Sequence, residues 1–79
     1  MKVYKFYANW CQPCRTLEKQ LGVVKTQHEV VPVNIELPES KELIVKYGIT
    51  GIPALVKEDG AKLVGLKSAK QVEEFINGT

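Results

Sequence analysis

The sequence predicts an α/β domain with elements in the order βαβαββα, a four-stranded mixed sheet flanked by helices and formed by residues 1–79 as a single unit. Three observations lead there. Two strand-like runs are separated by one amphipathic helical stretch, an Asp-Gly turn joins two short apolar runs, and a capped apolar stripe closes the chain. With 79 residues, 44% hydrophobic and 25% charged, the chain can enclose one core and has no room for a second domain. So small a core limits the depth of any site, which favours large substrates met at the surface.

Lys2 to Tyr7 (Lys-Val-Tyr-Lys-Phe-Tyr) is rich in β-branched and aromatic residues and is followed by the turn-prone Ala8-Asn9, so it reads as the first strand. From Gln12, the residues Cys14, Leu17 and Leu21 recur on one helical face, with Pro13 tolerated in the first turn and Gly22 as a stop. Glu29 to Glu36 is the second strand, and Pro32 places it at a sheet edge or delays its pairing. Strand, helix and strand within this length imply a parallel crossover. Glu39 to Tyr47 is a short helix with Leu43, Ile44 and Tyr47 on one face and Gly48 as its stop. Ala54–Lys57 and Ala61–Gly65 flank Glu58-Asp59-Gly60 and pair as an antiparallel hairpin. Ser68 and Gln71 form a capping box, and Val72, Phe75 and Ile76 supply the stripe of a last helix ending near Gly78.

Eleven basic and nine acidic residues give a formal net charge of +2, scattered without a run, and this argues against a nucleic-acid footprint. Met1 to Trp10 carries Lys2 and Lys5 and lacks the apolar run of a signal peptide, and no stretch has the length of a membrane span. Two cysteines are too few for a disulfide scaffold of the secreted kind. The expectation is therefore a monomer in the reducing cytoplasm.

Cys11 and Cys14 lie in the motif Trp10-Cys11-Gln12-Pro13-Cys14. Three residues of helix rise about 4.5 Å and turn about 300°, which puts the two Cα atoms roughly 5 Å apart, within the range a disulfide spans. Cys11 falls at the helix start, where unpaired N–H groups and the macrodipole favour a thiolate, and Cys14 lies one turn deeper. This spacing predicts attack by Cys11 on a substrate disulfide and resolution of the mixed disulfide by Cys14. A purely structural bridge is the first alternative, although closing so short a loop gives only about 2 kcal/mol or less. A metal site is the second, but a closed zinc site needs about four ligands and only His28 stands beyond the pair, so it would require a dimer. The expectation is that neither metal nor cofactor is used and that His28 lies at the surface between helix and strand.

The run Phe6-Tyr7-Ala8-Asn9-Trp10-Cys11-Gln12-Pro13-Cys14-Arg15, followed by Tyr47-Gly48-Ile49-Thr50-Gly51-Ile52-Pro53 and then Gly65, resembles the thioredoxin family. One Cys-x-x-Cys is a weak signal, whereas three blocks in order are a strong one. The resemblance covers nearly the whole chain from Lys2; thioredoxins usually begin with an additional strand and helix that this sequence lacks, and in length it is nearer to a glutaredoxin. The resemblance implies a cis Ile52–Pro53 bond, against the alternative of an ordinary trans proline opening a strand. It also implies that Trp10, Gln12, Pro13, Gly51, Ile52, Pro53 and Gly65 bind substrate. Trp10, Ile52, Pro53 and Gly65 would line a shallow apolar groove beside Cys11, with the backbone near Pro53 pairing to an extended substrate. Trp10 also fits a core position, although a reactive thiol beside it argues for exposure.

Two departures from the family pattern stand out. Thioredoxins usually place an aspartate in the first strand beneath the second cysteine and a lysine in the next strand, and here those positions look like Lys5 and Pro32. Lys5 either lowers a cysteine pKa through its charge, with Glu36 or water handling the proton, or extends to solvent and affects neither thiol. Gln12 stands where glycine is commonest and leaves the redox potential open.

By this resemblance the leading function is reduction of protein disulfides, as electron donor to a protein such as ribonucleotide reductase, with recharging by thioredoxin reductase. A glutathione-dependent, glutaredoxin-like protein is the alternative. Against it, the tyrosine usual between the cysteines and the glycine pair with aspartate that receives glutathione are not visible. A binding subunit that never uses its thiols is the third reading, which fold alone does not exclude.

Overall fold

A computed structural model describes residues 1–78. Its strands are β1 (Lys2–Tyr7), β2 (Glu29–Asn34), β3 (Ala54–Lys57) and β4 (Lys62–Val64), and its helices are α1 (Gln12–Leu21), α2 (Lys41–Tyr47) and α3 (Ala69–Asn77). They form one sheet of order β2-β1-β3-β4 in which β1 and β2 run parallel and the other pairs antiparallel. The mixed four-stranded sheet and the βαβαββα order agree with the sequence reading.

Side chains alternate across the sheet, so β1 feeds two cores. On one face Val3 packs with Leu55 beneath Leu17 of α1 and Val72 and Ile76 of α3. On the other Phe6 packs with Val33, Ala54 and Val56 beneath Leu43, Ile44 and Tyr47 of α2. Val3, Phe6 and Val56 are completely buried, and each side chain of this size contributes about 1.5–3 kcal/mol relative to exposure. Lys5 shares the face of Val3 and is thereby aimed toward α1.

Pro32 lies in the edge strand and pairs in register with Lys5. Glu29 N–H donates to the Met1 carbonyl at 3.2 Å and Ile35 N–H to the Tyr7 carbonyl at 2.9 Å. Odd-numbered residues of β2 therefore point their backbone groups at β1, and Pro32 points its own outward, where a missing N–H costs no ladder bond.

Three boundaries differ from the sequence expectation, each for a local reason. β2 stops at Asn34 rather than Glu36 because Asn34 organises a turn. Its side chain accepts from Glu36 N–H (2.9 Å), and its carbonyl accepts from Leu37 N–H (3.2 Å) and the Ser40 hydroxyl (2.6 Å). The helix expected from Glu39 begins instead as a 3₁₀ turn, Pro38–Ser40, and becomes α-helical at Lys41. β4 spans Lys62–Val64 because Ala61 N–H is held by the Asp59 carboxylate (3.0 Å) and Gly65 turns to φ 89°.

Two lysines from the hairpin reach helix ends. Lys62 Nζ donates to the Tyr47 carbonyl (2.7 Å) at the end of α2, where Gly48 adopts the left-handed conformation at φ 61°. Lys57 is buried, stacks its ammonium 4.8 Å from the Phe75 ring centroid and donates to the Gly78 carbonyl (3.1 Å) after α3. At the other end of α3 the Ser68 side chain accepts from Gln71 N–H (3.2 Å) and the Gln71 side chain accepts from Ser68 N–H (3.1 Å), the reciprocal box the sequence predicts. Replacing Ser68 by alanine is expected to lower the unfolding free energy by about 1 kcal/mol. Urea titration would read this as a lower midpoint at unchanged slope.

Candidate active site

The site begins where β1 stops. Cys11 N–H donates to the Ala8 carbonyl (3.1 Å), closing a turn after Tyr7, and the Arg15 guanidinium braces the same loop through the Asn9 carbonyl (2.9 Å). That turn leaves Cys11 extended, at φ −87° and ψ 106°, as the N-cap of α1. In this position its sulfur accepts the backbone N–H of Cys14 at 3.3 Å. A cysteine thus occupies the place where serine or aspartate commonly satisfies a free helix donor.

Cys11 and Cys14 form a disulfide with Cα atoms 5.3 Å apart, close to the spacing expected from helix geometry. Ala8, Tyr7, Ile35 and Ile52 pack around them. Cys11 is 5% exposed and Cys14 4%, so exposure does not distinguish the two sulfurs. Their surroundings do: the first sulfur faces a helix terminus, and the second is a side chain within the helix.

Trp10 is 67% exposed, which places it at the surface and not in the core. It lines an apolar groove of about 510 Å³ with Ile35, Ile44, Ile49, Thr50, Gly51 and Ile52. Gln12 and Pro13 are exposed beside it on the first turn of α1. The Ile52–Pro53 bond is cis, and Pro53 is buried with its carbonyl accepting Gly65 N–H at 2.8 Å. Of the expected groove residues, Trp10, Gly51 and Ile52 form part of its wall, whereas Gln12, Pro13, Pro53 and Gly65 do not line it. The sequence reading missed the part of the wall supplied by Ile35, Ile44, Ile49 and Thr50, because apolar spacing marks a residue for burial without saying that a groove will run past it.

A second cavity, of about 230 Å³, lies beside Cys14. Lys5 and Tyr7 from β1, Ala8 and Asn9 from the loop, and Arg15 and Glu18 from α1 complete its wall. Lys5, expected beneath the second cysteine, is there, half-buried and with its ammonium 5.3 Å from the Tyr7 ring centroid. Glu36 is not brought to this cavity. It sits exposed in the turn after β2, and the acid lining the wall is Glu18, which the sequence reading did not single out. The available signal was its spacing: Glu18 follows Cys14 by four residues, which makes them neighbours on one helix face. His28 is half-buried between α1 and β2. Among the described residues no three His, Cys, Asp or Glu side chains gather as metal ligands, and no helix is long and apolar enough to cross a membrane.

A disulfide between cysteines three apart at the start of a surface helix, beside a cis-proline loop, is suited to thiol–disulfide exchange, and the sheet order sets it in a thioredoxin fold. The chain belongs to the thioredoxin family, whose model, described as Thioredoxin, matches residues 1–78. It is 33% identical over 78 residues to a thioredoxin of Buchnera aphidicola, covering 91% of this chain and 72% of the relative. To the mitochondrial thioredoxin of Bos taurus it is 34% identical over 80 residues, covering 94% of this chain and 48% of that protein, so it spans about half of that relative's length. Among solved structures a mutant thioredoxin from Halobacterium salinarum superposes with a TM-score of 0.71 at 32% identity, covering 95% of this chain and 70% of the other. Family membership and the Cys11–Cys14 bridge together make the chain a thiol–disulfide oxidoreductase.

Gly65 sits at φ 89°, and a Cβ added there meets nothing within 4 Å. Backbone conformation, and not lack of space, is what calls for glycine. Gly65→Ala is expected to cost about 1–2 kcal/mol, read from urea unfolding of the oxidised protein.

Proposed function

We propose that this protein reduces disulfides in other proteins, with Cys11 as the attacking thiol and Cys14 as the resolving one. The observation that carries the reading is the N-cap geometry of Cys11, whose sulfur already receives the Cys14 N–H and lies at the positive end of α1. The thiolate of Cys11 attacks a substrate sulfur, the substrate's other sulfur leaves as a thiolate, and a mixed disulfide forms. Cys14 then attacks the Cys11 sulfur, releasing the reduced substrate and restoring the bridge seen here. The substrate class is an extended, apolar stretch of protein around a disulfide. Support comes from the apolar groove lined by Trp10, Gly51 and Ile52; the family resemblance adds Gln12, Pro13, Pro53 and Gly65 to the residues that meet substrate.

Electrons come from a thioredoxin reductase and pass to proteins such as ribonucleotide reductase; the family resemblance supports both. A monomer in the reducing cytoplasm fits a chain whose only two cysteines form the redox pair. Lys5, on the wall beside Cys14, favours a sulfur anion through its charge. Lys5→Met is accordingly expected to raise the apparent cysteine pKa values in thiol titrations of the reduced protein.

The central test is the reduction potential, measured by alkylating free thiols after equilibration in thiol–disulfide buffers. Thioredoxin itself provides the reference of about −270 mV, and a value near it is expected. A potential well above about −200 mV, or recharging by glutathione as effective as that by thioredoxin reductase, would overturn the reading.

A further inference from the structure

Cys14 must lose a proton before it can resolve the mixed disulfide, yet it is 4% exposed and lies inside a helix. The cavity of about 230 Å³ on its flank offers that proton a route. It has room for several water molecules at about 30 Å³ each. Its wall includes the exposed Asn9, Arg15 and Glu18, so it reaches the surface. The titratable groups facing Cys14 there are Lys5 and Tyr7 from β1 and Arg15 and Glu18 from α1. Two of these are cations and one is a phenol. Glu18 alone is a carboxylate base, and its position four residues after Cys14 brings the two Cβ atoms to about 6 Å, a gap one water can bridge.

We infer that Glu18 is the positioning and proton-accepting residue for Cys14, acting through water held in this cavity. The inference rests on the oxidoreductase reading above and assigns it a residue. As the Cys14 S–H gives its proton through water to the Glu18 carboxylate, the sulfur's electron pair forms the bond to Cys11 and the bond from Cys11 to the substrate sulfur breaks. The departing thiolate takes a proton from solvent, and the exposed Glu18 returns one, so the step neither consumes nor produces protons overall. Lys5, across the cavity from α1, offsets the negative charge that develops on sulfur.

Ellman's disulfide tests this directly, because reduced protein releases one coloured thiolate when Cys11 attacks and a second when Cys14 resolves. In Glu18→Gln the first release should keep its rate. The second should slow about tenfold near pH 6–7 and converge on the unsubstituted rate above about pH 9, where a cysteine of ordinary pKa ionises unaided. Glu18→Asp should retain the unsubstituted pH profile in shape. Glu18 is exposed on α1, so the fold should survive, and circular dichroism checks it. Equal second phases in Glu18→Gln and the unsubstituted protein at every pH would overturn the inference. A faster second phase would overturn it too, since loss of a negative charge alone favours the thiolate. Failure of the unsubstituted protein to release a second equivalent would instead overturn the oxidoreductase reading beneath it.

Discussion

The central strand has to satisfy two cores at once. β1 is bonded on one side to β2 and on the other to β3, while Val3 and Phe6 are driven to opposite faces and completely buried. A shift of one residue would exchange every side chain between the faces, so its register is fixed by both cores. The end of β1 fixes the turn at Ala8, the turn fixes Cys11 as N-cap, and the N-cap fixes the direction in which its sulfur meets helix donors. The placement of Cys11 at the start of α1 thus traces back to packing around Val3 and Phe6.

The same strand divides the surroundings of the disulfide. The face of Phe6 leads to α2 and the apolar groove past Ile35, Ile44 and Ile52. The face of Val3 carries Lys5 toward α1 and the charged cavity at Cys14. The apolar groove and the charged cavity therefore occupy opposite sides of one sheet. The two can be altered separately, since no residue lines both cavities among those described.

Much of this was legible in the sequence because the signals were periodic or local. Lys2–Tyr7 matched β1 residue for residue, Cys14 and Leu17 marked the buried face of α1, and Ser68 with Gln71 announced the start of α3. The cis bond before Pro53 came from family resemblance, as no local pattern requires it. What escaped depended on distant partners. Asn34 ended β2 by accepting hydrogen bonds from three residues ahead in the chain, Lys57 was buried because the end of α3 supplied a carbonyl and a ring, and Glu18 joined Lys5 only once α1 had folded over β1. Propensity and periodicity do not carry such information.

The outward-facing proline of β2 has a consequence for how these molecules meet one another. An approaching strand that tried to continue the sheet would find, midway along the edge, a ring in place of the proton it needs, and at Asn34 a carbonyl already bonded to Leu37 and Ser40. Stacking of copies edge to edge would stall at that point. A single outward-facing residue thus discourages unwanted growth of the sheet along this margin.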